Sequence, residues 1–177
     1  MLTKLLHRSA ADIAQAGRLL AGGEVVGIPT ETVYGLAANA LDGEAVKKIF
    51  IAKGRPQDNP LIVHVSSLSE IPPLVESVDP RLYSLAEKYW PGPLTVIMKK
   101  SALIPDEVSA GLDTVAIRMP SHPDAREIIR LSGVPLAAPS ANASGRPSPT
   151  SASHVADDLN EKIDMIIDGG NVDIGVE

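Results

Sequence analysis

Two short segments concentrate the residue types that can handle a nucleotide. "AKGRPQDNPL", residues 52–61, sets Lys53 and Arg55 directly after a helical pattern, in a loop stiffened by Gly54, Pro56 and Pro60. Lysine is a mobile point charge and arginine a planar fork, and together they suit a polyphosphate. The plainer reading makes Lys53 a helix C-terminal cation and Arg55 a solvated loop residue. "PSANASGRPSPT", residues 139–150, reads as a linker by composition, yet it follows the apolar run "VPLAA" and carries Asn142 and Arg146. His64 lies inside the apolar run "LIVHV", where it is either a buried, hydrogen-bonded histidine or a ligand to a substrate. Arg118 ends "TVAIR", and a charge at that place either snorkels to solvent or holds an anion. Thr30, Glu31, Thr32 and Tyr34 fit turn chemistry and an edge tyrosine.

These residues need a scaffold, and the hydrophobic periods supply one. Ser9 caps a helix to Ala21, with Ile13, Ala16, Leu19 and Leu20 on one face and Gly22-Gly23 ending it. Asp42 caps a second helix, 43–53, closed by Gly54. Between them runs a strand, 24–28, and then "TETVYGLAANAL", polar first and small afterwards. Further strands are expected at 61–65, 94–100, 114–119, 135–138 and 163–170. Further helices are expected at 123–131 and 151–159, at 80–89 after an Asp79-Pro80 start, and weakly at 68–76. The alternation predicts a single α/β domain with a sheet flanked by helices. The loop without a clear helix between the strands at 94–100 and 114–119 makes part of that sheet antiparallel, so a mixed parallel and antiparallel sheet is expected. The polar segments after the strands at 28, 65, 118 and 138 are expected to meet in one pocket, since ligands gather beyond strand carboxyl ends.

Composition narrows the chemistry. The 177 residues hold no cysteine, which removes thiolate nucleophiles and thiolate metal sites, and His7, His64, His122 and His154 lack metal-ligand spacing. Aromatic residues are 3% of the chain and the formal net charge is −6, so neither a stacking platform for single strands nor an overall basic coat is present. "KKIFIAKGR" at 47–55 remains a candidate basic cleft. No phosphate loop of the GxxxxGK[ST] type, no GxGxxG and no GxSxG occurs. With no leader-like start and no apolar run of about 20 residues, the expectation is a cytoplasmic protein that does not enter a membrane.

Five blocks, "GIPTETVYGL", "AKGRPQDNPLIVHV", "WPGPLTVIM", "VAIRMPSHP" and "PLAAPSANASGRPSPT", together resemble the YrdC family of threonylcarbamoyl-AMP synthases in order and spacing. The resemblance implies a YrdC-like fold with a twisted sheet and an open concave cleft. It implies that L-threonine, bicarbonate and ATP give threonylcarbamoyl-AMP and pyrophosphate, with Mg²⁺ carried by the ATP phosphates. The product would pass to a transferase complex that modifies the adenosine beside the anticodon of certain transfer RNAs. By the same resemblance Lys53, Arg55, Ser140 and Asn142 form the catalytic signature. Asn59, Thr114 and Ser148 join them around ATP, and Thr32, His64, Arg118 and Ala138 hold threonine. Family members usually continue past "DGGNVDIGVE" with a GxxST-type segment, so residues 1–177 are expected to be a catalytic domain cut short before it. The alternative is a non-catalytic module of the same fold that binds double-stranded or transfer RNA. Hydrogenase-maturation proteins of this fold carry cysteine clusters, which this chain lacks.

Overall fold

The computed structural model describes residues 2–176. Eight strands form one sheet: β1 (Lys4–Leu6), β2 (Val26–Ile28), β3 (Gly35–Asn39), β4 (Ile62–His64), β5 (Thr95–Lys99), β6 (Thr114–Arg118), β7 (Leu136–Ala137) and β8 (Met165–Ile167). Their spatial order is β1-β8-β2-β3-β7-β4-β6-β5. β8 runs parallel to β1 and β2, and β4 runs parallel to β6, while the remaining pairs are antiparallel. The sheet is therefore mixed, with β5 and β6 antiparallel as their helix-poor connection implied. The helices are α1 (Ala10–Ala21), α2 (Gly43–Lys53), α3 (Arg81–Tyr89), α4 (Asp106–Ser109), α5 (Pro123–Ser132) and α6 (Ala152–Leu159). Ser9 caps α1, Asp42 caps α2 through the Glu44 and Ala45 N–H groups, and Gly54 closes α2 with φ 61°. Among the described residues no helix is long and apolar enough to cross a membrane.

Several elements differ from the sequence reading. β3 forms from Gly, Leu, Ala, Ala and Asn, a run without β-branched residues, because β2 and β7 supply partners on both sides. β1 and the single-turn α4 were not expected either. The weak helix at 68–76 is two 3₁₀ turns, Leu68–Glu70 and Pro72–Leu74. Tyr34, read as an edge residue, is fully buried. Its hydroxyl donates to the Gly170 carbonyl at 2.6 Å and accepts from the Gly169 N–H at 3.0 Å. Burial pushes that phenol up to about 12, so it stays a donor at neutral pH.

The two sheet faces are covered unequally. One face packs Leu36, Ala38, Val63, Val65, Val115 and Ile117 against α2, α3, α4 and α6. The other face packs Val26, Ile28, Ala37, Leu136 and Met165 against α1 and α5, over the β8-β2-β3-β7 half only. Cross-strand partners share a face, so the pairs Ile62–Ala116, His64–Arg118, Thr95–Arg118 and Ile97–Ala116 place these residues on that second face, beyond the helices. Ile97 is 67% exposed. The half-covered sheet leaves an open floor, bordered on one side by the packed helices.

Candidate active site

A cleft of about 180 Å³ lies at that border. Thr30, Thr32 and Gly35 line it from the turn between β2 and β3 and the start of β3; Arg55, Pro60 and Leu61 line it from the loop after α2. Ile62 and His64 come from β4, Arg118 from the end of β6, and Ala138, Pro139 and Ser140 from the segment after β7. Six of the sequence candidates, Thr32, Arg55, His64, Arg118, Ala138 and Ser140, thus meet in one place. The expected clustering at strand carboxyl ends holds only in part. Ser66 and Ser67 turn away into a separate groove with Arg126, because the cleft lies on the sheet face and not along one edge.

At the β6 end the cleft is built around a buried ion pair. Arg118 donates through Nη2 to Glu31 Oε1 and, at 3.2 Å, to Thr32 Oγ1. Its Nε reaches the Gly92 carbonyl at 3.4 Å. The "WPGP" turn is what presents that carbonyl: the Gly92 N–H donates back to Met119 at 2.8 Å, and a Cβ at Gly92 would lie 2.5 Å from the Tyr89 carbonyl oxygen. Arg118 therefore neither snorkels nor waits with its whole fork unengaged; Nη2 and Nε are committed, and among the described residues Nη1 has no hydrogen-bond partner. His64, paired with Arg118 across the strands, has its Nδ1 3.2 Å from the Ile62 carbonyl. Burial, and then the Arg118 charge, lower His64 to about 4, so the imidazole is neutral at physiological pH. Thr30 accepts the N–H groups of Thr32 and Val33, so the expected turn chemistry sits within the cleft wall.

The other end of the cleft is organised by Lys53, which does not line it. Lys53 ends α2 and is 4% exposed. Its ammonium donates to the backbone carbonyl of Ser140 and, at 2.8 Å, to that of Asn142, with Asn142 Oδ1 at 3.4 Å. Its own carbonyl accepts the Ser144 N–H at 2.9 Å. Asn142 spends its amide donors on the Ala143 and Arg146 carbonyls, at 3.0 and 2.8 Å. Asp158 of α6 holds the same loop through the Ala143 N–H and Arg146. Of the two paired signatures, Lys53 and Asn142 thus brace the loop, while Arg55 and Ser140 face the cleft. Lys53 is the last residue of α2 and buried, which corrects its placement in the loop beside Arg55.

The remaining candidates lie further out. Asn59 is exposed beside Pro60 and contacts Asp58 at 3.3 Å. Thr114 begins β6 opposite Lys99, two residues before Ala116 on the same face. Ser148 lines a neighbouring hollow with Arg146, Thr150 and His154. The basic stretch 47–55 does not form a cationic cleft: Lys47 pairs with Glu44 and Glu107, Lys48 pairs with Glu24, and Lys53 is buried. Glu31 and Gly35 were missed as site residues. Glu31 had no local signal, since its partner lies 87 residues away.

The fold and cleft describe an α/β protein with two arginines, Arg55 and Arg118, lining a small open site. A family model covering Sua5, YciO and YrdC, described as "Telomere recombination", matches residues 18–177, and the chain belongs to that family. The threonylcarbamoyl-AMP synthase of Pyrococcus abyssi is 57% identical over 155 residues, covering 88% of this chain and 46% of that protein. The Bacillus subtilis protein of the same name is 55% identical over 178 residues, 99% of this chain and 51% of that one. The crystal structure of P. abyssi Sua5 complexed with L-threonine superposes with a TM-score of 0.95 at 50% identity, covering 100% of this chain and 53% of that chain. The chain spans about half the length of these relatives.

Proposed function

We propose that the cleft forms L-threonylcarbamoyl-AMP from L-threonine, bicarbonate and ATP. The observation that carries this is the convergence of Arg118, Thr32 and His64 with Arg55 and Ser140 in a single cleft. That arrangement suits a small carboxylate-bearing substrate beside a polyphosphate. Two relatives that are more than half identical bear the name of this synthase, and a solved neighbour holds L-threonine.

In this reading Arg118 Nη1 receives the threonine carboxylate, Thr32 and the Ala138 backbone border the side chain, and neutral His64 adds no charge beside the amine. The threonine ammonium first gives up a proton. The free amine then bonds to the carbon of carbon dioxide, losing a second proton to solvent, or to that of bicarbonate, whose C–O bond breaks to release water; either route leaves a carbamate that keeps one N–H. A carbamate oxygen then bonds to the α-phosphorus as the bond to pyrophosphate breaks. Arg55 and the Ser140 hydroxyl meet the phosphates, and Asn59, Thr114 and Ser148 make outer contacts to ATP. No protein nucleophile is required; positioning and charge stabilisation do the work. The cleft lining offers hydroxyls and carbonyls but no carboxylate, which fits Mg²⁺ that arrives chelated by phosphates and keeps its waters. When bound it would neutralise phosphate charge, with Ser140 meeting its water shell. The product would be consumed by a transferase acting on transfer RNA, with transfer RNA itself a candidate partner. Pyrophosphate release by the natural protein with ATP is the test. Release is expected to require both L-threonine and bicarbonate, and release indifferent to either would overturn the assignment.

A further inference from the structure

We propose that Glu31 is a positioning residue that fixes Arg118 and, by keeping a negative charge behind it, makes the cleft select amino acids over simple carboxylates. The inference rests on the threonine reading above and adds a determinant of its specificity. Glu31 is 6% exposed, and one of its oxygens accepts from Arg118 Nη2. The other, Oε2, is buried and has no hydrogen-bond partner among the described residues. A buried ion pair with an unsatisfied oxygen is a poor stabilising device, because well-packed apolar residues do as well or better. Its place explains it better. Thr30 and Thr32, the chain neighbours of Glu31, both line the cleft, as does Arg118, so the carboxylate stands directly behind the wall. It also acts on the rings around it, favouring the protonated form of His64 and His122 against their burial. The backbone there is fixed from outside: the Ile174 and Gly175 N–H groups donate to the Glu31 and Thr32 carbonyls at 3.1 and 2.9 Å.

The consequence is electrostatic. Arg118 and Glu31 together carry no net charge. A zwitterionic amino acid, also neutral, can set its carboxylate against Nη1 and its ammonium in the field of Glu31. A carboxylate without an amine brings one uncompensated negative charge toward a buried carboxylate and is disfavoured. Glu31→Gln keeps the shape and a hydrogen bond to Arg118 but removes the charge.

The test is calorimetric binding of L-threonine and of its deaminated analogue, 2,3-dihydroxybutanoate, to the natural protein and to Glu31→Gln and Glu31→Asp. The preference for threonine is expected to fall about tenfold or more in Glu31→Gln, chiefly through tighter analogue binding, and to persist in Glu31→Asp. Threonine binding with the same preference in all three proteins would overturn the role of Glu31 alone. No threonine binding by the wild-type protein would overturn the amino-acid reading with it. Should Glu31→Gln not fold, nitrogen-15 NMR of the wild-type protein decides: a held Arg118 shows resolved, slowly exchanging Nη–H signals before threonine is added, and averaged signals would contradict the proposal.

Discussion

At the scale of single residues, Lys53 and Arg55 share a motif but not a job. Lys53 holds two backbone carbonyls and the Asn142 side chain from a buried position. Lys53→Met is therefore expected to lower unfolding free energy by about 2–4 kcal/mol in urea titration, because charged hydrogen bonds are lost and carbonyls are left unpaired. Arg55, half-buried and facing the cleft, behaves oppositely. Arg55→Ala is expected to leave stability within about 0.5 kcal/mol while reducing turnover on the order of a hundredfold. His64 supplies a pH dependence. Its folded-state value of about 4 lies below the ordinary 6.5, so between these values the unfolded chain binds the extra proton. The stability is fully present above pH 6.5 and is lost as pH falls through about 4, amounting to about 3 kcal/mol. Unfolding midpoints measured across that range should drop less steeply in His64→Asn than in the wild type.

At the scale of elements, local chemistry that stands next to its effect was readable in the sequence. Asp42 and Gly54 bracket α2 as their types require, and the helix ends where the sequence places it. Asp42→Ala is expected to cost about 1 kcal/mol in thermal or urea unfolding, by leaving two first-turn N–H groups unpaired. Elements created by neighbours were not readable. β3 has no strand propensity of its own and exists because β2 and β7 flank it, and β1 is three residues docked along β8. The same division applies to the site. Thr32, Arg55, His64, Arg118, Ala138 and Ser140 came from the blocks around them, whereas Glu31 and the buried brace of Lys53 depend on contacts 87 residues apart. Helix packing sets the edge of the cleft. A Cβ on Gly17 of α1 would lie 3.1 Å from Leu131 and Ser132 of α5. Gly17→Leu is expected to push the two helices apart and cost about 1–3 kcal/mol in urea unfolding.

At the scale of the molecule, the unequal covering of one sheet creates the site. α1 and α5 bury half of a face, and the exposed remainder becomes a floor on which β4 and β6 present His64 and Arg118. The loop braced by Lys53 and Asp158 brings Ser140 to the same floor from the far end of the sequence. The central claim is that these segments form one site where a carbamate meets a nucleotide. Transfer of carbon-14 from bicarbonate into an adenylate tests it most directly. Label is expected in the adenylate only when L-threonine and ATP are both present. With Arg55→Ala, which is expected to keep the wild-type unfolding midpoint, the labelling rate should fall on the order of a hundredfold. Labelling that proceeds without L-threonine, or at the wild-type rate in Arg55→Ala, would contradict the claim.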